Sequence, residues 1–213
     1  MREARPACSE TARHVLGPPG TIGAVTAQTG GHGPAAPAPG PVPVPVTVRF
    51  VALTRPILVA LRDGDLTAAS TLAGVEFPEY FIGDSELWLW RLRLSDIAAN
   101  PEAARWIARA AVDDPGGFVV GHAGFHGPPD DAGMVEVGYT VVPEYRRRGY
   151  ARAMLKALLR RAADEPQVRV VRASISPDNA ASLATIAGFG FEPAGEQWDE
   201  EDGRELLFEV PAR

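Results

Sequence analysis

The order of strand-like and helix-like segments predicts a mixed α/β fold for this 213-residue chain. Apolar side chains recur with helical spacing over residues 151–163, directly after the strand-like segment 134–142, and a second strand pattern follows at 168–175. Two turn sequences rich in Gly, Pro and Asp, at 113–117 and 127–133, separate short apolar runs in the way typical of antiparallel strands. Strands and helices are therefore expected to alternate within one fold.

Residues 46–99 are predicted to form one strand followed by helices. In chain order we expect a strand, two short helices, a loop and a longer helix, at 46–53, 56–61, 66–72, 77–82 and 85–99. The pair Asn100-Pro101 ends the longer helix, because a residue that precedes proline avoids the helical conformation.

Antiparallel strands are expected next. Apolar runs at 106–112 and 118–125 flank the first turn and predict a hairpin, and the acidic segment 196–202 is predicted to join the last two strands. His122 and His126 are four residues apart on one predicted strand and therefore share a face. Two histidines without a Cys or Asp at ligand spacing do not form a metal site, so we expect structural roles for both and no bound metal.

The helix that follows strand 134–142 has the clearest pattern in the chain. Its apolar residues form one stripe, made of Ala151, Met154, Leu155, Leu158, Leu159 and Ala162. Arginine and lysine residues stay off this stripe, which indicates a helix packed against a sheet.

The turn before this helix is suited to holding phosphate groups. The first amides of a helix have no internal acceptors, and the aligned peptide dipoles add partial positive charge at the same place. Gly149 allows a close approach of a ligand, and the three arginines 146–148 add positive charge beside the amides. A diphosphate ligand is the interpretation we favour, and a merely solvated arginine turn is the alternative.

Residues 1–46 differ in kind from the rest. Gly and Pro dominate the stretch 17–46, which contains no aromatic residue able to anchor a core, so we expect a disordered tail. Residues 47–213 are expected to form a single domain.

Composition excludes several classes of function. The formal net charge of −6 argues against a nucleic-acid partner, and no apolar run has the length of a membrane span. The single Cys8 cannot form an intrachain disulfide, and the first residues lack the apolar core of a secretory signal, so a cytoplasmic location is expected. A nucleotide phosphotransferase is disfavoured, because no Gly-x-x-x-x-Gly-Lys-Ser/Thr loop is present.

Four further features of the sequence belong together. They are Arg146-x-x-Gly149-x-Ala151, the preceding Gly-Tyr-Thr-Val-Val-Pro-Glu-Tyr strand, Ser176-Pro-Asp-Asn-Ala-Ala-Ser182 and Gly190-Phe191. In these features the chain resembles the GCN5-related N-acetyltransferase (GNAT) superfamily, whose acyl-CoA signature is similar to the first of them. The resemblance covers about 47–210, and it is closest to the subgroup similar to ribosomal-protein N-terminal acetyltransferases.

The resemblance implies a mostly antiparallel central sheet of six to seven strands flanked by helices. It also implies acetyl-CoA as the cosubstrate, with its pantetheine arm between the fourth and fifth strands. The residues that it assigns to the cofactor are Thr140, Val141, Val142, Arg146, Arg147, Arg148, Gly149, Tyr150, Ala151, Arg152, Asn179 and Ser182. For Asn179 and Ser182, a turn that starts and caps a helix is an equally good interpretation.

Transfer of an acetyl group to an amine requires a base, a site for the oxyanion and a proton for the departing thiolate. We assign the base to Glu136, on the strand that carries the cofactor, and His126 is the second choice because its pKa suits proton transfer near neutrality. The alternative for Glu136 is a glutamate on a solvated strand face. The oxyanion is expected at the amide of Val141 or Val142.

The proton donor is left open by the sequence. Ile186 stands where many members of the resembled family carry a tyrosine, and solvent, the Ser182 hydroxyl and Tyr139 are alternative donors.

The predicted function is therefore an N-acetyltransferase that uses acetyl-CoA and a primary amine, of a small molecule or a protein N-terminus, in a ternary complex. A CoA-binding module without catalysis, serving as a sensor or interaction subunit, is the alternative. Trp198 is a candidate wall of the acceptor pocket. Relatives often pair through their last strands, so a homodimer is compatible with the resemblance.

Overall fold

The protein is organised around one seven-stranded sheet. The computed structural model describes residues 46–200 and 203–213, and the predicted tail of residues 1–46 lies outside this part except for Val46. The strands are β1 (Val48–Ala52), β2 (Arg109–Asp113), β3 (Val119–Phe125), β4 (Met134–Val141), β5 (Val170–Ile175), β6 (Glu192–Asp199) and β7 (Gly203–Pro211). The helices are α1 (Arg55–Arg62), α2 (Leu66–Ala73), α3 (Asp84–Ala99), α4 (Tyr150–Asp164) and α5 (Ala180–Ile186).

The strands follow the order β1-β2-β3-β4-β5-β7-β6, and neighbours are antiparallel except for the pair β4 and β5. A parallel pair needs a crossover connection, and α4 supplies it. The predicted fold class, a mostly antiparallel sheet of six to seven strands flanked by helices, is confirmed.

Strands β4 and β5 separate after a short stretch of pairing. They are aligned from Met134 opposite Val170 to Glu136 opposite Arg172. Beyond this point β4 remains paired only with β3, to Val141, whereas β5 remains paired only with β7, to Ile175. The two strands thus form an opening between residues 137–141 and residues 173–175, which we call the β4–β5 wedge.

The two faces of the sheet carry separate cores. One face packs against α4 and α5, through residues such as Val137, Leu155 and Ile186. The other face packs against α1 and α3, through residues such as Leu58 and Trp90. Because side chains alternate along a strand, β4 places Val135, Val137 and Tyr139 toward α4 and its even-numbered residues toward α3.

Several predicted boundaries differ from the structure. The expected loop 77–82 ends in a 3₁₀ turn, Glu79–Ile82, whose Gly83 amide bonds the Tyr80 carbonyl. A second 3₁₀ turn, Pro101–Arg105, runs up to Trp106, so β2 begins at Arg109 rather than at 106. The prediction that residues 196–202 connect the last strands was wrong in its first half, because residues 196–199 belong to β6 and pair with β7.

Membrane insertion of a helix finds no support in this part of the chain. Within residues 46–200 and 203–213, no helix combines the length and the apolar character needed to cross a bilayer.

Candidate functional site

The edge of β4 in the wedge exposes main-chain groups to a ligand. The Val142 amide donates to the Val120 carbonyl at 3.0 Å, and the His126 amide donates to the Glu136 carbonyl at 2.9 Å. The main-chain N–H and C=O groups of an antiparallel strand alternate in direction. Those of the even-numbered residues of β4 therefore point to β3, and the N–H and C=O groups of Tyr139 and Val141 point into the wedge.

This alternation divides the predicted cofactor residues of β4. The backbone groups of Thr140 and Val142 are used within the sheet, whereas those of Val141 are turned to the opening. Of the two amides predicted for the oxyanion, the amide of Val142 is therefore occupied and that of Val141 is free of the β3 ladder.

The loop between β4 and α4 holds an unusual backbone conformation. Gly149, the residue before α4, has φ 90°, and Arg147 has φ 62°. A non-glycine residue in the left-handed region is uncommon, and such strain concentrates at ligand-binding loops.

The start of α4 is open to an anion. Gly149 has no side chain to cap the helix, and the first helical bond runs from the Ala153 amide to the Gly149 carbonyl at 3.0 Å. The amides of residues 150–152 come before this bond and belong to the first turn, which favours anion binding in a helix of 15 residues.

The three consecutive arginines of the loop differ in their surroundings. Arg146 donates from Nε to the Val141 carbonyl at 3.1 Å, which places its side chain along the open edge of β4. Arg148 lies over the Tyr145 ring at 5.6 Å, and Arg147 is exposed.

Arg152 serves the structure through its side chain. Its Nη1 donates to the carbonyls of Thr185 at 2.9 Å and Ala187 at 2.7 Å, and its guanidinium lies 4.6 Å from the Phe189 ring. The side chain thus holds the C-terminal end of α5 against the start of α4, and only its amide is turned to the predicted diphosphate site. Tyr150 likewise keeps its side chain buried, with its hydroxyl donating to Asp113 at 2.9 Å.

Glu136 lies where β4 and β5 separate, with about 20% of its side chain exposed. Burial raises the pKa of its carboxyl group above the usual range. The neighbouring Ser174 hydroxyl, which forms no well-directed hydrogen bond, opposes this rise in pKa, as do the Arg172 and Arg93 guanidinium groups. A carboxylate with a raised pKa and partial access to solvent is suited to accepting a proton near neutral pH.

His126 lies beside Glu136 on the same face of the sheet. Its Nδ1 is 3.5 Å from Glu136 Oε1, and its carbonyl accepts a hydrogen bond from Arg93 at 3.2 Å. Burial and the charge of Arg93 lower the pKa of His126, so the ring is neutral at pH 7. The base of first choice and the base of second choice are therefore neighbours.

His122 shares this face but has a different environment. Its Nε2 is 3.8 Å from Glu86 Oε1, both side chains are buried, and its ring packs edge-on against Trp90 and Phe81. It takes part in the core below α3, in keeping with the structural role expected from the sequence.

The candidate proton donors lie on the other face, near α5. Burial raises the pKa of Tyr139, while the hydroxyls of Ser182 and Thr185 oppose that rise, so these groups lie beside the phenol. Asn179 is the N-cap of α5, with its Oδ1 accepting from the Ser182 amide at 3.0 Å. Ile186 is buried in the core at the end of the same helix.

Comparison with known proteins identifies the family of this fold. A family model described as the acetyltransferase (GNAT) domain matches residues 55–192. The chain belongs to the GNAT acetyltransferase family. The resemblance inferred from the segment around Gly149 is confirmed.

Individual relatives agree with this assignment. The uncharacterized N-acetyltransferase YjdG of Bacillus subtilis is 34% identical over 73 residues, a match that covers 34% of this chain and 44% of the length of YjdG. A putative ribosomal-protein-serine acetyltransferase from Vibrio cholerae has a TM-score of 0.53 at 17% identity, covering 79% of this chain and 95% of the other. Mycobacterium smegmatis RimJ, in complex with CoA-disulfide, has a TM-score of 0.53 at 19% identity, covering 78% and 87%. At these identities the two structures establish the fold.

The residue predicted to line the acceptor pocket lies on the edge strand β6. Trp198 is 78% exposed near the outer end of the edge strand β6, and Glu196 on the same strand pairs with Arg204 at 2.6 Å. Trp198 as a pocket wall stays a prediction. Among the residues that the structure describes, no group of three or more His, Cys, Asp or Glu is arranged to hold a metal ion.

Sequence reasoning missed the neighbours that tune the GNAT site. Ser174 on β5 and Asp199 on β6 influence the pKa of Glu136, and the Arg146 side chain occupies the open edge of β4. A period-2 pattern shows that Ser174 shares a face with Arg172, but nothing in the spacing shows that this face meets Glu136.

Proposed function

We propose that this protein is an acetyl-CoA-dependent N-acetyltransferase, in which a primary amine attacks the thioester directly within a ternary complex. The observation that carries the proposal is the β4–β5 wedge. Its free edge runs from the anion-binding start of α4 to the carboxylate of Glu136, about 17 Å along β4 from Val141 at 3.3–3.4 Å per residue.

The loop and the wedge divide the binding of coenzyme A between them. The amides of residues 149–152 hold the diphosphate, and the exposed side chains of Arg147 and Arg148 add charge-assisted contacts. The main-chain groups of Tyr139 and Val141 pair with the pantetheine amides as a neighbouring strand would. This pairing requires the Arg146 side chain to leave the Val141 carbonyl, and the diphosphate offers it a stronger partner.

Glu136 acts as the general base in this proposal. An amine with the pKa of a lysine side chain is mostly protonated at pH 7, so a carboxylate must remove a proton before or during attack. The amine nitrogen then bonds the thioester carbon, and a wedge-facing amide of β4 between Val141 and Glu136, such as that of Tyr139, donates to the oxyanion that forms. Collapse of this intermediate breaks the carbon–sulfur bond and releases the thiolate, which takes up a proton.

The proton for the thiolate comes from the α5 side of the wedge. Ser182 lies at the N-terminal end of α5 beside Tyr139, and the raised pKa of Tyr139 keeps its phenol protonated. Their side chains therefore form a pair of hydroxyl donors on the side of α5, where Ile186 replaces the tyrosine of many relatives. Solvent remains the alternative source, and Ser182→Ala compared with Tyr139→Phe separates the two hydroxyls by their effect on kcat.

The acceptor is an amine of a small molecule or of a protein N-terminus. The acidic groups Glu136, Asp199, Glu86 and Asp96 lie near the α3 side of the wedge. They outnumber the arginines there, Arg93 and Arg172, and favour a cationic acceptor. A cytoplasmic location and a homodimer formed through the last strands remain predictions.

Calorimetry with acetyl-CoA, followed by a panel of amines with detection of free thiol, tests the function in two steps. Binding followed by amine-dependent thiol release supports the proposal. Binding without release from any amine supports the non-catalytic module instead. Absence of acetyl-CoA binding would refute both the enzyme and the non-catalytic module, because each requires coenzyme A to occupy the wedge and the loop.

A further inference from the structure

Three arginines converge at the end of α4 that is remote from the diphosphate loop. They are Arg105 from the 3₁₀ turn before β2, Arg109 from β2 and Arg161 from α4, and we call them the basic cluster. Arg109 donates from Nη2 to the Arg105 carbonyl at 2.8 Å, and Arg161 donates to the same carbonyl. The guanidinium groups of Arg105 and Arg161 also lie 5.3 Å and 5.6 Å from the Trp106 ring.

The negative charge beside this cluster is too small to balance it. Glu165 pairs with Arg105 through both carboxylate oxygens, at 2.8 Å and 2.9 Å. Burial and the charge of Arg105 lower the pKa of Arg109, and burial and the charge of Arg109 lower the pKa of Arg161 to about 10. Three positive groups thus surround one carboxylate, and each arginine repels the next.

Two donors in the cluster lack an acceptor. Arg109 Nε and Arg161 Nη1 are buried, and within the described part of the chain neither has a hydrogen-bond partner. Buried polar atoms are almost always satisfied, and an atom that is not calls for a water molecule or an ion. Unsatisfied cationic donors among like charges favour an anion.

We propose that the basic cluster binds a small divalent oxyanion of the phosphate or sulfate class, at a site separate from the diphosphate loop. Twelve residues of α4 separate Gly149 from Arg161, which corresponds to about 18 Å at 1.5 Å per residue. The oxyanion accepts hydrogen bonds from Arg109 and Arg161 and offsets their repulsion. Arg105, which is exposed, provides the access from solvent.

The occupied site ties two elements together. An anion held by Arg109 and Arg161 links the start of β2 to the second half of α4, next to the core residues Trp106 and Phe125. Binding of the anion is therefore expected to stabilise the fold, since it binds the native state and not the unfolded chain.

Thermal unfolding of the full chain in sodium sulfate, against sodium chloride at equal ionic strength, tests the site. The wild type should show a saturating rise of Tm with sulfate. Arg109→Gln and Arg161→Gln should each weaken the apparent sulfate affinity by about tenfold or more, the worth of one charge-assisted hydrogen bond. Arg160→Gln, the exposed neighbour on α4, is the matched control and should leave the sulfate curve unchanged.

Glu165→Gln tests the same inference in the opposite direction and keeps all three arginines. Removing this carboxylate should tighten sulfate binding by about threefold or more, because the anion no longer meets a like charge. Equal sulfate curves in the wild type and all variants would indicate only the general salt effect and overturn the proposal. Loss of the response in Arg147→Gln alone would place the anion at the diphosphate loop, and would overturn it as well. These outcomes do not depend on acetyl transfer.

Discussion

Replacing Glu136 by glutamine should lower activity and raise stability at neutral pH. Glutamine keeps the shape of the side chain and removes the ability to accept a proton. A positioned general base contributes roughly 10²–10⁴ in rate, so kcat should fall by about that factor while the Kd for acetyl-CoA stays near that of the wild type. This loss corresponds to about 2.7–5.4 kcal/mol of activation free energy at 1.36 kcal/mol per tenfold.

The stability effect follows from the raised pKa of Glu136. Burial makes the folded state bind the proton more tightly than the unfolded chain does. Below the ordinary glutamate pKa of about 4.3, Glu136 is protonated in the folded and in the unfolded state, and its contribution to the free energy of unfolding is fully present. As the pH rises through the folded-state pKa this contribution is lost, so the ionised carboxylate weakens the fold near neutrality. Glu136→Gln should therefore gain stability relative to the wild type as pH increases from about 4 to 8.

Two measurements together decide whether Glu136 acts as the base. Thiol release across pH should show the wild-type rate rising as Glu136 ionises, and urea unfolding across the same range gives the stability difference. Glu196→Gln, on the exposed part of β6, is the matched control and should change neither. A variant with a rate within threefold of the wild type would refute the assignment of the base. A variant that is less stable at pH 8 would refute the account of its pKa.

Three further substitutions test the loop and its support. Gly149→Ala should raise the Kd for CoA measured by calorimetry, because φ 90° costs alanine about 1–2 kcal/mol; an unchanged Kd would count against the loop. Arg152→Met should lower the unfolding free energy in urea by about 1–3 kcal/mol through loss of its carbonyl contacts, and full stability would contradict that support. Tyr150→Phe should cost about 1–3 kcal/mol by leaving the buried Asp113 carboxylate short of a donor, and no change in Tm would contradict this.

The order of the elements and the glycine-containing loop before α4 were predictable from the sequence. The stripe from Ala151 to Ala162 defined α4, and Gly149 marked its start, because helical spacing and left-handed glycine are local properties. Boundaries were less predictable. The sequence 101–106 contains no strong helical period, yet its 3₁₀ turn shortened β2, and the acidic residues 196–199 joined β6 because β7 offered them partners.

The candidate base was predictable as a residue but not as a site. Its position between Val135 and Val137 on a strand places its side chain on the face opposite to theirs. Its neighbours come from β3, β5 and β6, and no local pattern specifies which faces of distant strands meet. The same reason hid the second role of Arg152, whose carbonyl partners are more than 30 residues away.

The sequence by itself determined the strand–loop–helix unit with Gly149 at its turn and the residue types available for proton transfer, and its motifs carried the resemblance to the family. The local elements follow from dihedral preferences and side-chain period, which act over a few residues. Only the tertiary structure decided that β4 and β5 part after Glu136, that the Val141 edge is free while Val142 is not, and that Arg105, Arg109 and Arg161 converge. Such contacts depend on strand order and packing between segments 30 to 60 residues apart, where the free energy of burial and pairing, rather than local preference, selects the partner.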